Sequence, residues 1–145
     1  MKIKITQNEN VEETEITIVC KEITDEIAEI VANFGLSDGT VGGKCDGETH
    51  FVRISDILYF ETVDDKIFFY TADKTYETPT RLYKLEEKLA PTFFARISKS
   101  VIANLKKITC IKPEKHSRLV ATLQSGEKLL VSRQYVPDIK EKLGV

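Results

Sequence analysis

The sequence contains few of the residues from which disulfide frameworks and metal centres are built. Its three cysteines, Cys20, Cys45 and Cys110, are an odd number, lie far apart and form no CxxC pair. The two histidines, His50 and His116, do not form a helical HxxxH motif. We therefore predict reduced thiols, no metal site and no cofactor.

Long apolar runs are also absent. No stretch reaches the roughly 18 residues that a membrane-spanning helix needs, and no basic-then-apolar leader opens the chain. Hydrophobic residues make up 41% and charged residues 30% of the 145 residues, which is a globular composition. These features predict a soluble, cytoplasmic protein.

The formal net charge of −2 is unevenly distributed. Residues 1–45 carry a net charge of −5, and residues 46–145 carry +3. From Arg96 onward, 11 basic residues face four acidic ones. Such segregation is typical of a polyanion-binding region, but a basic surface without function would give the same numbers.

The first third of the chain predicts a small strand–strand–helix unit. Side chains alternate in residues 1–6 and 15–21, which favours two strands. A helix with Thr24 as N-cap is expected to end at Gly35. Residues 36–47, "LSDGTVGGKCDG", are glycine-rich and predict a linker or mobile loop.

The rest of the chain predicts a mainly β domain with a few short helices. Four short strands within residues 49–79 are separated by small turns, as in an antiparallel meander. A helix follows at residues 81–89, then strands near residues 107–113, 118–123 and 128–132, and a closing short helix. We therefore divide the chain into an N-terminal extension, residues 1–45, and a domain, residues 46–145.

Candidate catalytic features are weak. "GTVGGKC" does not fit the phosphate-loop pattern, because the spacing is too short and Cys45 replaces the hydroxyl that would hold magnesium. Asp64 and Asp65 suit a tight turn better than a metal site. Cys45 would need His50 beside it to act as a nucleophile. We predict that the protein is not an enzyme and has no small-molecule substrate.

Two polar stretches fit a phosphate-binding role instead. "RISKS", Arg96 to Ser100, alternates short hydroxyls with long cations in a strongly apolar segment. Burying an unpaired lysine is costly, so Lys99 is expected to point out of the fold. "VSRQY" repeats this chemistry with Arg133 and Gln134 just before the closing helix. Lys66 adds a third cation near a turn.

Several ordered motifs resemble the LytTR DNA-binding domain of bacterial transcriptional regulators. They are "DILYFET", the leucine-rich helix before Pro91, "FFARISKS" with Asn104, and "VSRQY". The resemblance covers residues 46 to 143 and implies an elongated, antiparallel, nearly all-β fold. In such a fold, loops rather than a recognition helix enter successive major grooves.

The resemblance implies three DNA-contacting places and a set of partners. The contacts are Lys66, then Ser98 with Lys99 and Ser100, then Arg133 with Gln134. Arg96 and Asn104 match DNA-contacting positions too, but they are equally suited to organising the loop by hydrogen bonds. The implied partner is double-stranded DNA, bound by two copies at paired repeats or by a homodimer.

The 45 residues before the match are too few for a receiver domain. This acidic extension could mediate self-association, contact a protein partner or cap the sheet. Two other functional classes stay open for the whole chain. One is a protein-interaction module that keeps the fold without specific DNA binding, and the other is a small enzyme that uses Cys45 or the Gly-Lys loop.

Overall fold

The computed structural model describes residues 1–27, 30 and 39–145. Its described residues contain ten strands in two antiparallel sheets. The seven-stranded sheet has the order β2-β1-β5-β4-β3-β7-β6, and the three-stranded sheet has the order β10-β9-β8. The strands are β1 (Thr40–Cys45), β2 (Glu48–Arg53), β3 (Tyr59–Val63), β4 (Lys66–Tyr70), β5 (Thr75–Thr78), β6 (Phe94–Ser98), β7 (Val101–Asn104), β8 (Ile108–Glu114), β9 (Arg118–Leu123) and β10 (Lys128–Val131). Within residues 39–145, two short α-helices, α1 (Leu82–Leu89) and α2 (Val136–Leu143), complete this mainly β fold, which confirms the predicted fold class.

Local turn chemistry explains the hairpins that the sequence predicted. Asp64 and Asp65 join β3 to β4, and their φ angles are 49° and 64°. A two-residue turn with both φ angles positive matches the right-handed twist of the strands on either side, and aspartate tolerates it. Gly126, with φ of 88°, lies in the turn between β9 and β10. The two aspartates therefore have the turn role predicted for them.

The glycine-rich stretch is a strand over part of its length, so the linker prediction is wrong there. Residues 40–45 form β1, which pairs along its whole length with β2. Gly43 lies against the aromatic side chains of Phe69 and Tyr76. A Cβ atom at this position would lie 2.8 Å from the Tyr76 Cβ and would also collide with the Phe69 ring. Glycine is needed there because β1 packs too closely for a side chain. The division of the chain after residue 45 stays a prediction.

Strands β3, β6 and β7 of the seven-stranded sheet are covered on both faces. Phe60, Phe94 and Ile102 belong to a core cluster with the apolar side of α1. Their strand neighbours point the other way, because successive side chains alternate. Tyr59 and Ala103 accordingly pack in a second cluster, with residues of the three-stranded sheet and α2. Strands β3 and β7 and the edge strand β6 are therefore apolar on both sides.

Tyr59 connects the two sheets by a polar contact, and Tyr70 packs beside it. Tyr59 on β3 donates its hydroxyl to Glu127 Oε1 at 2.9 Å, across to the turn before β10. Tyr70 on β4 lies 4.6 Å from the Tyr59 ring and donates to Glu61 Oε2 at 2.8 Å. Burial, followed by the hydrogen bond to Glu61, raises the pKa of Tyr70 to about 12. Burial and the bond to Glu127 raise the pKa of Tyr59 as well.

The N-terminal extension differs from its prediction. Residues 1–23 contain no strand, so the two strands expected at residues 1–6 and 15–21 are not formed. Every residue of this stretch is exposed, which also argues against a cap on the sheet. Thr24 does cap a helical turn, because its Oγ1 accepts the Ile27 N–H at 3.4 Å. The remainder of the predicted helix lies largely outside the described residues. Among the described residues, no helix has the length and apolar composition needed to cross a bilayer.

Candidate nucleic-acid interface

Three segments that are far apart in sequence meet at one edge of the fold. The Thr62 N–H at the end of β3 donates to the Ser100 carbonyl oxygen at 2.9 Å, which joins the β3–β4 turn to the β6–β7 turn. The Ser132 N–H donates to the Ile97 carbonyl oxygen at 2.8 Å, which joins the segment before α2 to β6. These two backbone hydrogen bonds bring together all three predicted DNA-contacting places.

Each of the three segments presents an exposed basic side chain. Lys66 begins β4, Lys99 lies in the β6–β7 turn, and Arg133 begins the 3-10 turn that precedes α2. Within the described part of the chain, none of these three has an ion pair or a side-chain hydrogen bond. Gln134 beside Arg133 is exposed in the same way. The edge therefore offers three free cations and one free amide to a ligand.

The β6–β7 turn has an irregular geometry that projects Lys99. Ser98 pairs with Val101, and the register shifts between Arg96 and Ser98. Such irregularities bend a strand and redirect its side chains. The Ser98 Oγ accepts the Ser100 N–H at 3.3 Å and thereby closes the turn. Lys99 and Ser100 are left exposed at its tip.

Arg96 holds this turn with its whole guanidinium group. Its Nε donates to the Ser98 carbonyl oxygen at 2.8 Å, and its Nη2 donates to the Lys99 carbonyl oxygen. Its Nη1 binds Glu86 Oε2 on α1 at 2.7 Å. The Arg96 side chain is 16% exposed, against 47% for Glu86. Arg96 thus connects α1 to two successive backbone carbonyl groups of the turn. This arrangement suits the loop-organising role, and direct contact of Arg96 with DNA stays a prediction.

Asn104 is not available to DNA, which corrects its place among the predicted contacts. The residue is fully buried, at 0% exposure. Its Nδ2 donates to the Ile57 carbonyl oxygen at 2.8 Å, and its Oδ1 accepts the Lys106 N–H at 3.0 Å. Buried amides are retained when such bonds satisfy them. Asn104 therefore fixes the end of β7 against the segment before β3.

Two buried apolar side chains anchor the segment before α2. Val131 and Ile139 are both fully buried, at 0% exposure, on either side of the exposed pair Arg133 and Gln134. The Tyr135 N–H donates to the Ser132 carbonyl oxygen at 2.9 Å, which closes the short turn. The side chains of Arg133 and Gln134 thus extend from a backbone that is fixed at both ends.

The interface also contains acidic groups. Asp64 and Asp65 are exposed at the tip of the β3–β4 turn, next to Lys66. Carboxylates repel phosphates, and they can accept a hydrogen bond from the cytosine amino group in the major groove. This turn is therefore less suited to phosphate binding than the turn that carries Lys99.

Cys45 and His50, which the alternative enzymatic function would need, form no hydrogen bond with each other. Cys45 Sγ lies 3.8 Å from a carboxylate oxygen of Asp46. His50 instead pairs with Glu48 at 3.3 Å and lies edge-on to the Tyr76 ring. The Gly-Lys pair of the supposed loop is part of β1. In the described residues, no group of three or more histidine, cysteine, aspartate or glutamate side chains is arranged to hold a metal ion.

The contacts that assemble the edge were missed by sequence reasoning. They are made by backbone groups of Thr62, Ile97, Ser100 and Ser132. A backbone N–H or carbonyl group has no residue-specific signal, since every non-proline residue carries both. Which residues act as the connectors could therefore be learned from the three-dimensional arrangement alone.

The protein has a β fold that presents free cations from three adjacent loops. This arrangement suits a domain that binds nucleic acid through loops. A sequence profile of the LytTr DNA-binding domain matches residues 47–144 of the chain. The chain therefore belongs to the LytTR family of DNA-binding domains.

Individual proteins show the same relationship. An uncharacterized HTH-type transcriptional regulator of Staphylococcus aureus strain NCTC 8325 is 30% identical, and the alignment covers 100% of this chain and 99% of the relative. The counterpart from the bovine strain RF122 is 31% identical over the same lengths. The solved LytTr DNA-binding domain of a Bacillus cereus protein superposes with a TM-score of 0.70 at 27% identity, and the match covers 74% of this chain and 98% of that domain.

Proposed function

We propose that the protein is a sequence-specific transcriptional regulator that binds double-stranded DNA through the three loops at the assembled edge. The observation that supports this proposal is the pair of backbone hydrogen bonds, Thr62 N–H to Ser100 and Ser132 N–H to Ile97, that joins the segments carrying Lys66, Lys99 and Arg133. Membership in the LytTR family and the names of the S. aureus relatives support the same function. A regulator of this kind would act in the bacterial cytoplasm, where the chromosome lies.

In this proposal the loops have different tasks. Lys99 extends from a turn whose backbone is held by Arg96, so it can reach a base edge, with guanine O6 and N7 as acceptors. Ser98 and Ser100 flank it and can bind phosphate oxygens. Arg133 is exposed on a fixed backbone and suits bidentate contact with guanine, while Gln134 suits adenine.

Loops rather than a helix-turn-helix motif would make these contacts. In the described residues, five strands separate α1 from α2 along the chain. A helix-turn-helix requires two helices joined by a short turn. The label carried by the S. aureus relatives therefore does not describe how this chain would read DNA.

Two copies would bind together at paired repeats in a promoter. One edge with three free cations covers a short stretch of DNA, and adjacent copies would extend the sequence that is read. The competing function is a protein-interaction module that keeps the fold without specific DNA binding. Free cations at the edge favour DNA, because an interaction surface has no need of three unpaired charges on adjacent loops.

Fluorescence anisotropy on DNA tiled across the protein's own promoter, at two salt concentrations and against scrambled DNA, tests this function. We expect one tile to bind in a saturable way at physiological salt. Lys99→Ala should cost about 1–3 kcal/mol at one base pair and relax specificity there. Lys74→Ala is the matched control, because Lys74 is an exposed lysine at the opposite end of β4.

Different outcomes separate the two functions. Loss of tile binding in Lys99→Ala and Arg133→Ala, but not in Lys74→Ala, would support specific recognition through the edge. Equal binding to every tile, abolished by salt, would indicate phosphate attraction alone and refute specific reading. No binding to any tile would favour the protein-interaction module.

A further inference from the structure

The N-terminal segment, residues 1–23, exposes apolar side chains that a single copy leaves unburied. Ile3 and Ile5 are 81% and 88% exposed, and Ile16 and Ile18 are 63% and 41% exposed. Within each pair the two isoleucines are two residues apart, so they lie on one face of any extended strand. Contiguous exposed apolar side chains of this kind mark interaction surfaces.

The same segment contains two stretches of opposite charge. Residues 1–6, the basic stretch, carry Lys2 and Lys4 and no acidic residue. Residues 12–19, the acidic stretch, carry Glu12, Glu13 and Glu15 and no basic residue. None of these five charged side chains forms an ion pair within the described part of the chain.

The two stretches are complementary in an antiparallel register. When Ile3 is set opposite Ile16, Lys4 comes opposite Glu15, because antiparallel partners advance in opposite directions. Isoleucine and lysine then lie on opposite faces of the ribbon, as strand alternation requires. Cross-strand apolar and opposite-charge pairs of this kind stabilise strand pairing.

We propose that this segment is a dimerisation surface, in which the basic stretch of one copy pairs with the acidic stretch of a second copy of the chain. A second copy fits because the basic and acidic stretches are complementary. In a two-fold symmetric dimer the basic stretch of each copy pairs with the acidic stretch of the other, which buries both isoleucine pairs of each copy. In the single chain the two stretches are unpaired. Strands β3, β6 and β7 offer them no apolar face, since both faces of these strands are already covered.

This inference extends the proposed function by naming the surface that would hold two copies together on paired repeats. It rests on residues remote in sequence from the DNA-binding edge. The two can therefore fail separately, and the dimer is measured in the absence of DNA.

Sedimentation of the full-length protein over a wide concentration range tests the surface. We expect a dimer, and we expect Ile3→Asp combined with Ile16→Asp to weaken it at least about a hundredfold, because four buried isoleucines are replaced by charges. Phe51→Asp is the control: Phe51 is 77% exposed on edge strand β2, outside the proposed surface.

Charge reversal distinguishes pairing between copies from pairing within one copy. Lys4→Glu and Glu15→Lys should each weaken the dimer, because each sets like charges opposite one another twice. An equimolar mixture of the two variants should recover the dimer mass, since one ion pair re-forms with reversed sign and the other with the original sign between the two proteins. A ribbon within one chain would not be rescued by mixing.

A wild-type protein that stays monomeric at all concentrations would overturn the inference, as would a dimer lost in Phe51→Asp but kept in the isoleucine variant. Anisotropy on DNA with a single repeat is measured in parallel. Specific binding by a monomer would refute the dimerisation surface and leave the proposed function intact. A dimer that binds no DNA site specifically would support the dimerisation surface and refute the proposed function.

Discussion

Replacing Arg96 separates the two roles that the sequence left open for it, DNA contact and loop organisation. The geometry favours organisation, because the guanidinium donates to the Ser98 and Lys99 carbonyl oxygens and to Glu86. We expect Arg96→Ala to weaken specific DNA binding by loosening the turn that carries Lys99. The lysine itself remains, but it must then be ordered on binding.

The magnitude follows from the three contacts. Each carbonyl bond contributes about 1 kcal/mol net, because water can replace the arginine at this exposed turn. The ion pair with the half-exposed Glu86 adds about 0.5 kcal/mol. Arg96→Ala should therefore lower the free energy of unfolding by about 2.5 kcal/mol. The affinity for the specific DNA site should fall about tenfold if ordering the loosened turn costs roughly 1.4 kcal/mol of the binding free energy.

A double-mutant cycle with Lys99 provides the assay. If Arg96 acts through Lys99, the losses of binding free energy from the two alanine substitutions will not be additive. The double variant should then bind the specific site about as weakly as Lys99→Ala alone. Anisotropy titrations on the specific tile give the affinities of the wild type, the two single variants and the double variant. Urea unfolding of each variant shows that the protein is folded at the assay temperature.

Two conservative variants sharpen the result. Arg96→Lys keeps the charge but cannot donate to three acceptors at once, so positioning predicts a loss similar to that of alanine. Glu86→Gln removes the carboxylate that orients Arg96, and positioning predicts weaker specific binding. A direct phosphate contact predicts the reverse for Glu86→Gln, because an acidic group near DNA disappears. Additive losses in the cycle, together with near-normal binding by Arg96→Lys, would refute the positioning role.

Three further predictions concern the fold. Gly43→Ala should lower the free energy of unfolding by about 1–3 kcal/mol or more because its Cβ would strike the Phe69 ring. Gly42→Ala, whose nearest neighbour would lie at 3.7 Å, should be close to neutral in the same urea titration; equal effects would contradict the packing account. Asn104→Ala should cost about 2–4 kcal/mol by leaving the buried Ile57 carbonyl oxygen and the part-buried Lys106 N–H unpaired, and a thermal midpoint like that of the wild type would disprove this. The pKa of Tyr70 is raised from 10.0 to about 12, so the unfolded state loses its proton first and stability should fall as the pH rises from 10 toward 12. Tyr70→Phe should make that decline shallower, and an unchanged slope would exclude Tyr70 as its cause.

Elements with local signals were predicted well from the sequence. The Asp64-Asp65 turn and the leucine stripe of α1 each depend on neighbouring residues alone. The hairpin of β6 and β7 around Lys99 was not predicted as two strands. Its residues are apolar in succession because Phe94 faces one core cluster and Ala95 the other, and a strand buried on both faces loses the alternating pattern.

The errors arose where distant residues decide the outcome. Residues 40–45 look like a linker by composition, but Phe69 and Tyr76 leave room for glycine alone at Gly43. The alternating residues 1–6 and 15–21 look like strands, yet no partner strand pairs with them in the single chain. A strand needs a neighbour for its backbone hydrogen bonds, and periodicity does not supply one.

The sequence by itself determined the class of fold, the short elements with strong turn and helix signals, and the family motifs that include Lys66, Lys99 and Arg133. The tertiary structure decided which of the candidate residues are free. It buries Asn104 completely and engages Arg96 with three protein acceptors, while Lys99 stays exposed between them in sequence. The physical reason is that turn chemistry and periodicity act between neighbours. Burial and hydrogen-bond partners depend instead on residues that the chain brings together from far away, as Thr62 and Ser100 are at the DNA-facing edge proposed here.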